Sequence, residues 1–425
     1  MTRSASSPAA AILMPLGQPL GEHRDADDER YLQVRLGGDI HRLDASAGAL
    51  WSALHHTRPG TSRGIDRGLL PALDLADRGV ADPQRDLELL LDLGLVVELA
   101  TAAPDQRLAF AESYRLLPLQ TVLGNSETDL ERFALVAGAQ QTVTVDAAMR
   151  EVLVYAPRAA DLYATCFVRS GAIGAAEGFE SLGEPEAMVE HTLAAVHPLL
   201  AAHAAYFDVA IDAQADAEAA GRRCDPASVD VGEEHRGGTG IFPVGYQAGA
   251  TYVWLGLESV RVRVGPAELE LANEQAWLLW TAAHGVATAD GIDDSEQAIC
   301  DSAKAAGARS PIFDLDDQQQ RGLVARPEGY AGLVELAATH RLEPLLAGLG
   351  EAPDGQLLGG DPGRPVTVLN AEQYAVWRDA HLSASLLDAA YAAGRAGSAR
   401  DLREYLRLVQ LLLLRRAAYL DLVRE

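Results

Sequence analysis

From Arg30 the chain reads RYLQVRLGGDIHRL, in which apolar and polar side chains alternate on either side of Gly37-Gly38. That is the pattern of two short strands joined by a two-residue turn. The period then changes. Asp44 carries a side chain able to accept the first free amides of a helix, and Ala47, Leu50, Trp51 and Leu54 follow on one helical face. Further helical stretches are predicted at about Leu69 to Arg78 and Pro83 to Leu93. Gly94 ends the last of them, and LVVEL is extended. Strands, three short helices and a closing strand predict a winged helix-turn-helix.

The same order recurs. TYVWLGL, VRVRV and ELEL read as strands, Asn273 as a cap, EQAWLLWTAA as a first helix, and RGLV at Arg321 to Val324 echoes LGLV at Leu93 to Val96. The intervening segments match each other as well. RLLPLQTVLG at Arg115 pairs with RLEPLLAGLG at Arg341, and LLAAHAAYFDV at Leu199 with LLLRRAAYLDL at Leu412. VTVDAAMREVL at Val143 pairs with VTVLNAEQYAVW at Val366, with one residue inserted. Asp44, Asn273 and Asn370 each stand seven residues before a tryptophan (Trp51, Trp280, Trp377), and Asp146 stands seven before Leu153. Each phrase predicts a capped helix whose Trp or Leu is a core anchor. The predicted fold class is α+β, mainly helical, with four winged helix-turn-helix modules arranged as two duplicated halves in the order A-B-A′-B′. Module A spans 29–100, B 113–210, A′ 244–328 and B′ 339–425, with a Gly-, Asp- and Glu-rich linker at 211–243; MTRSASSPAAAILMPLG reads as a frayed or docked tail.

Charge narrows the functional classes. A formal charge of −26 disfavours nucleic acid, whose affinity rests mainly on Lys and Arg neutralising phosphates. Lys304 is the single lysine and is followed by Ala305, so no P-loop is present, and a Schiff-base enzyme would depend on that one residue. Apolar residues make up 48% of the chain, enough for a sizeable core, yet no apolar run approaches the roughly 18 residues of a membrane helix. Cys166, Cys224 and Cys300 are odd in number and far apart, which fits a reducing cytoplasm and gives no structural zinc set.

Isolated motifs add little. His191, His197 and His203 are spaced by six residues, a turn of about 240° on a helix, so they do not converge on one metal and read as a solvated helix face. His55-His56 is accounted for by a helix C-terminus. GEEHRGGTG at Gly232 to Gly240 reads as linker, and no GxSxG or HExxH is present. No catalytic residue, metal site or cofactor is predicted.

The first module, YLQVRLGGDIHRLDASAGALW…DLELLLDLGLVVEL, resembles the PqqD-like family, the precursor-recognition domains of ribosomally made, post-translationally modified peptides. The resemblance covers residues 29–100 and rests on the strands, the Leu-Asp-x-x-x-x-x-Leu-Trp helix and the closing Gly-Leu-Val. It implies a leader peptide held as an added strand beside the N-terminal sheet and packed against the third helix. Transferred to this chain, the peptide-binding residues are Asp39, Ile40 and Arg42 on the edge Asp39 to Leu43, with Leu87, Leu90 and Leu91 on the helix; in A′ the matching strand is Glu268 to Leu271. The chain departs from the family in carrying four units and no recognisable enzyme domain.

The expected function is therefore a non-catalytic peptide-binding scaffold or partner subunit in a peptide natural-product pathway. Its expected partners are a precursor peptide and a separate modifying enzyme, without nucleic acid or membrane. An alternative is a modifying enzyme with a site between the halves, drawing on Cys166, Cys300 and His284. A winged-helix DNA-binding regulator ranks last, because PQRDLELLLDLG carries one arginine against three acids in Asp86, Glu88 and Asp92.

Overall fold

A phrase built on proline and glycine opens each of four units: PLGQPLG from Pro15, PLQTVLG from Pro118, PVGYQAG from Pro243 and PLLAGLG from Pro344. The proline ends one short strand, the chain turns, and the last glycine lies inside the next strand. The computed structural model describes residues 11–57, 63–211, 223–232, 240–253, 256–271, 273–289, 291–353, 355–361 and 364–424.

In the first unit β1 (Ile12–Pro15) leads into a meander of β2 (Gln18–Arg24), β3 (Arg30–Leu36) and β4 (Asp39–Asp44), followed by α1 (Ala45–Leu54), α2 (Pro83–Asp92) and a closing strand β5 (Val96–Leu99). The second unit has α3 (Pro104–Ser113), β6 (Tyr114–Pro118), β7 (Thr121–Ser126), β8 (Asp129–Ala137), β9 (Gln140–Val145), α4 (Ala147–Tyr155), α5 (Leu162–Gly174), α6 (Pro185–Ala195), α7 (His197–Ala201) and β10 (Ala205–Val209). The third has β11 (Phe242–Pro243), β12 (Tyr246–Val253), β13 (Gly256–Val264), β14 (Ala267–Leu271), α8 (Glu274–Ala282), a hairpin of β15 (Val286–Thr288) and β16 (Gly291–Asp293), α9 (Glu296–Ala305), α10 (Pro311–Gln320) and β17 (Val324–Ala325). The fourth has α11 (Gly329–Thr339), β18 (His340–Pro344), β19 (Ala347–Ala352), β20 (Gly355–Asp361), β21 (Arg364–Leu369), α12 (Ala371–Asp379), α13 (Leu386–Ala392), α14 (Ala399–Leu414) and β22 (Ala418–Leu422). In every unit the opening strand pairs antiparallel with the closing one: β1 with β5, β6 with β10, β11 with β17 and β18 with β22.

The meanders do not stay within their units. The first joins the fourth through parallel pairing of β2 with β19, and the second joins the third through β7 with β12. The results are two six-stranded mixed sheets, β4-β3-β2-β19-β20-β21 and β9-β8-β7-β12-β13-β14. This corrects the expectation of a mainly helical chain of winged helix-turn-helix modules. The protein is α+β with 41% helix and 32% strand, and the three strands read as a wing are halves of large sheets. The helix expected at about Leu69 to Arg78 is also shorter, a 3₁₀ turn at Arg67–Ala72 with Pro71 inside it. The segment read as a tail supplies β1, and β2 lies between that segment and residue 29, so the first unit begins before residue 29.

Both parallel junctions require glycine. Gly21 (φ 102°) and Gly350 (φ 131°) face each other across β2 and β19, and a Cβ on Gly21 would lie 2.4 Å from the Gly350 amide nitrogen. Gly124 (φ 123°) faces Ala250 across β7 and β12, where a Cβ would lie 2.1 Å from the Ala250 carbonyl oxygen. Only glycine combines the positive φ with backbone approach this close.

The capped helices set the cores. Asp44, Asp146, Asn273 and Asn370 accept from the amides of Ala47, Met149, Ala276 and Gln373. Trp51, Trp280 and Trp377 are buried as expected of anchors. Their indole N–H groups donate to the carbonyls of Leu16, Val244 and Leu345 at 3.1, 3.3 and 2.8 Å, the residue after the opening proline each time. The second and fourth units share one continuous core with Met14, Leu16 and Leu20, while the first and third units each hold a smaller core of their own.

Three outcomes test this architecture. Gly124→Ala should lower unfolding stability in urea by about 3 kcal/mol or more, since it adds backbone strain to a steric clash at a sheet junction. Gly171→Ala, in α5 where an added Cβ meets nothing within 4 Å, should stabilise by roughly 0.5–1 kcal/mol. Trp51→Ala should cost about 3–5 kcal/mol in the same assay through the cavity it leaves.

Candidate functional site

Each six-stranded sheet ends in two edges, so among the described residues these two sheets have four edge strands: β4, β21, β9 and β14. An edge exposes main-chain donors and acceptors and is normally blocked by charge, twist or cover. The two-residue turn Gly37-Gly38, with Gly37 at φ 59°, places Leu36 opposite Asp39 as a hydrogen-bonded pair. Alternation along the ladder then turns the N–H and C=O of Ile40 and Arg42 away from β3. The same argument in the third unit turns Glu270 outward from β13.

Three edges are capped by arginine. Arg132 donates to the Thr144 carbonyl on β9 at 2.9 Å, Arg415 to the Val368 carbonyl on β21 at 2.7 Å, and Arg321 to the Glu270 carbonyl on β14. Thr144, Val368 and Glu270 each immediately precede a buried residue of the edge strand (Val145, Leu369, Leu271). In β4 that place belongs to Arg42, which precedes buried Leu43. Among the described residues no donor reaches the Arg42 or Ile40 carbonyl. The Arg42 guanidinium instead lies over the Tyr31 ring, 3.8 Å from its centroid, and 3.7 Å from Asp25.

The six residues expected to bind peptide divide sharply. Asp39, Ile40 and Arg42 are exposed on the open edge, Ile40 to 39%. Leu87 and Leu90 are wholly buried in the core of the first unit beneath α1, and Leu91 is partly buried against it. Leu87 and Leu90 therefore have no surface to offer a peptide; Leu89, exposed to 36%, lies on the outer face of α2. The α2 helix is fixed to α1 by Ser46, which donates to buried Asp86. In the third unit Glu268, on the strand expected to match, pairs with Arg150 of α4 and its edge carries the Arg321 cap.

The residues suggested for a cleft enzyme do not assemble. Cys166 lies in the core of the second and fourth units and Cys300 in that of the third. Burial pushes the Cys166 thiol up to about 12, which removes thiolate character at neutral pH. Among the described residues no three His, Cys, Asp or Glu side chains are grouped to hold a metal ion. No described helix is long and apolar enough to cross a membrane.

The histidines are not a solvated face. His197 is buried with neither ring nitrogen hydrogen-bonded, and the His203 ring stands edge-on to that of buried His55 at 5.9 Å. His191 is half-buried with Nε2 3.0 Å from the Asp146 carboxylate, which raises its pKa. A helical period settles that three side chains diverge but says nothing of what packs over each one. Compared with known protein families, curated proteins and solved structures, the chain finds no match.

The buried imidazoles make stability depend on pH. Desolvation lowers His55 to about 3, aided by the neighbouring His203, and lowers His197 and His203 to about 4. The unfolded chain, with histidines near 6.5, binds protons that the folded chain refuses, so stability is lost as pH falls from about 6.5 toward 4. The His191–Asp146 pair acts in the opposite sense: the histidine's contribution is full below pH 6.5 and lost as pH rises through its elevated pKa. With His56, His284, His340 and His381 also lowered by desolvation, seven lowered histidines outweigh one raised, and melting temperature should drop between pH 7 and 5. In His197→Leu the drop should be smaller, read by thermal melts at both values.

Proposed function

We propose that the protein is a non-catalytic scaffold that holds a precursor peptide as an added strand along β4, presenting it to a separate modifying enzyme of a peptide natural-product pathway. The observation that carries this reading is the contrast among four equivalent edges, three closed by an arginine and one that no donor caps among the described residues. Strand addition needs that feature: main-chain groups of the peptide pair with the outward N–H and C=O of Ile40 and Arg42, and side chains alternating along the edge select the sequence.

The likeness of the first unit to PqqD-like domains supports the same mode through its strand meander, its capped helix and its closing Gly-Leu-Val. The peptide's footprint is smaller than the likeness implies, because Leu87 and Leu90 serve the core and only Leu91 of the three leucines keeps accessible surface. Three free, buried cysteines suit a reducing cytoplasm, where such pathways assemble their products. The charge of −26 favours peptide over nucleic acid as partner.

Ile40→Pro separates binding from folding. The Ile40 N–H faces away from β3, so proline there removes no bond of the existing ladder while deleting the donor an incoming strand requires. Peptides selected on the purified chain from a displayed random library should bind this variant roughly tenfold more weakly, with its melting temperature nearly unchanged. Bound peptide should also slow amide hydrogen exchange at Ile40 and Arg42 in the unaltered chain. Selected peptides that protect β9, β14 or β21 instead, or that bind Ile40→Pro as tightly, would overturn the assignment.

A further inference from the structure

The most deeply buried arginines are paired with acids. Arg35 lies 2.8 Å from Asp379, Arg115 3.0 Å from Asp208, Arg263 2.6 Å from Asp421 and Arg341 2.8 Å from Glu343; Arg150 joins Glu268 and Glu151. Arg416, in the turn between α14 and β22, has no carboxylate partner among the described residues. Its guanidinium lies 2.6 Å from Nε2 of His284 and 5.7 Å from the centroid of the Trp280 ring. His284 Nδ1 is 3.1 Å from the Trp280 carbonyl, to which only an N–H can donate, so Nε2 is the acceptor facing Arg416. The imidazole is enclosed and neutral, its pKa held well below the ordinary value by desolvation and then by Arg416 itself. The histidine orients the guanidinium and leaves its charge uncompensated.

That charge borders a cavity of about 230 Å³ at the seam between the two halves, with Leu119, Leu123, Leu345 and Leu346 among its apolar walls and Trp277 on one side. At the roughly 30 Å³ that a water takes in the liquid, this is space for about eight water-sized groups. Two neutral glutamines also line it: Gln120 donates to the Gly360 and Ala202 carbonyls and Gln247 to the Val122 carbonyl. Arg416 is the one cationic side chain on this lining. Two non-glycine residues in the left-handed region, Leu346 at φ 67° and Arg416 at φ 54°, sit on this wall, where backbone strain is retained.

The duplication supplies an internal comparison. His203 (φ 46°) takes the place of Arg416 in the second unit, and Gly48 the place of Trp277 in the first, each three residues before its anchor tryptophan. The turn is common to both halves, while the cation and the indole wall belong to one.

We propose that this cavity binds a small organic monocarboxylate with an aromatic or aliphatic body, the carboxylate on the Arg416 guanidinium and the body against Trp277 and the leucines. A partly desolvated guanidinium with no acid partner gains a charge-assisted, two-pronged pair when a carboxylate arrives. Phosphate fits less well, since a second negative charge would meet apolar walls and no further cation. The site is separate from the β4 edge and does not depend on the peptide reading.

Phenylacetate is the probe, compared with its neutral amide phenylacetamide and with inorganic phosphate on the full chain, by calorimetry and tryptophan fluorescence. The acid should bind with a change in tryptophan emission, and the amide and phosphate roughly tenfold more weakly or less. Arg416→Gln should bring the acid down to the amide's affinity, and Trp277→Gly should weaken both. Equal binding of acid and amide by the unaltered chain, no binding of phenylacetate, or tighter binding of phosphate would each overturn the proposal, as would a folded Arg416→Gln that keeps its preference for the acid.

Discussion

The structure depends on two places where main chain meets main chain without a side chain between. Gly21 against Gly350, and Gly124 against Ala250 beside Gly249, let strands from different units pair in parallel, and everything larger than a unit follows from that contact. A three-stranded meander alone would present two edges and a thin face. Joined to a second meander it becomes half of a six-stranded sheet. A second set of links closes the assembly: Asp208 accepts from the Gly37 amide at 2.6 Å, tying the second unit to the first, and Asp421 accepts from the Gly265 amide at 2.7 Å, tying the fourth to the third. Each unit is thereby held by two others, one through a sheet and one through a buried carboxylate on a hairpin turn.

Those carboxylates explain where the arginines went. The chain carries a charge of −26, yet Arg35 and Arg263 are among its largest wholly buried side chains. Arg263 sits between Asp421 and the Gly265 carbonyl; desolvation works against its charge, and Asp421, Tyr419 and Glu343 together more than offset that, so its pKa is raised. Removing either member would leave a buried charge without its partner, which is far more destabilising than the pair itself is stabilising. The acidic excess is a property of the surface, and net charge alone gave no hint of a cationic interior.

What could be read in the sequence was local. Asp44, Asp146, Asn273 and Asn370 act within four residues of themselves, and each caps the helix its position announced. The turn at Gly37-Gly38 and the burial of the tryptophans were legible for the same reason. The sheets were not, because Gly21 and Gly350 find their meaning in each other across more than three hundred residues, and neither hairpin pattern nor period records a parallel partner. The phrase PLGQPLG, which begins at the end of what reads as a tail, belongs to the same fourfold series as PLQTVLG, and only its place between β1 and β2 reveals this. The candidate site was half legible. Alternation located Ile40 and Arg42 on an edge, whereas Leu87 and Leu90 sit on a leucine-rich face, and such a face is taken by the core before any ligand can use it.

A duplicated frame makes its own departures informative. When four units share one topology, a feature present in three and missing from the fourth is not demanded by the fold, since the fold is made without it. Arginines close the edges of β9, β14 and β21, so the open edge of β4 is no requirement of the architecture; an exposed edge is a liability, and retaining it points to a use. The same reasoning applies inside. The left-handed turn before the closing strand tolerates His203 in one half, so it does not need Arg416, and the helix that carries Gly48 does not need Trp277. The two departures fall in different halves, one on an outer edge and one at the inner seam. Duplication thus frees each half to depart at a different place while the shared junction glycines keep both in one structure.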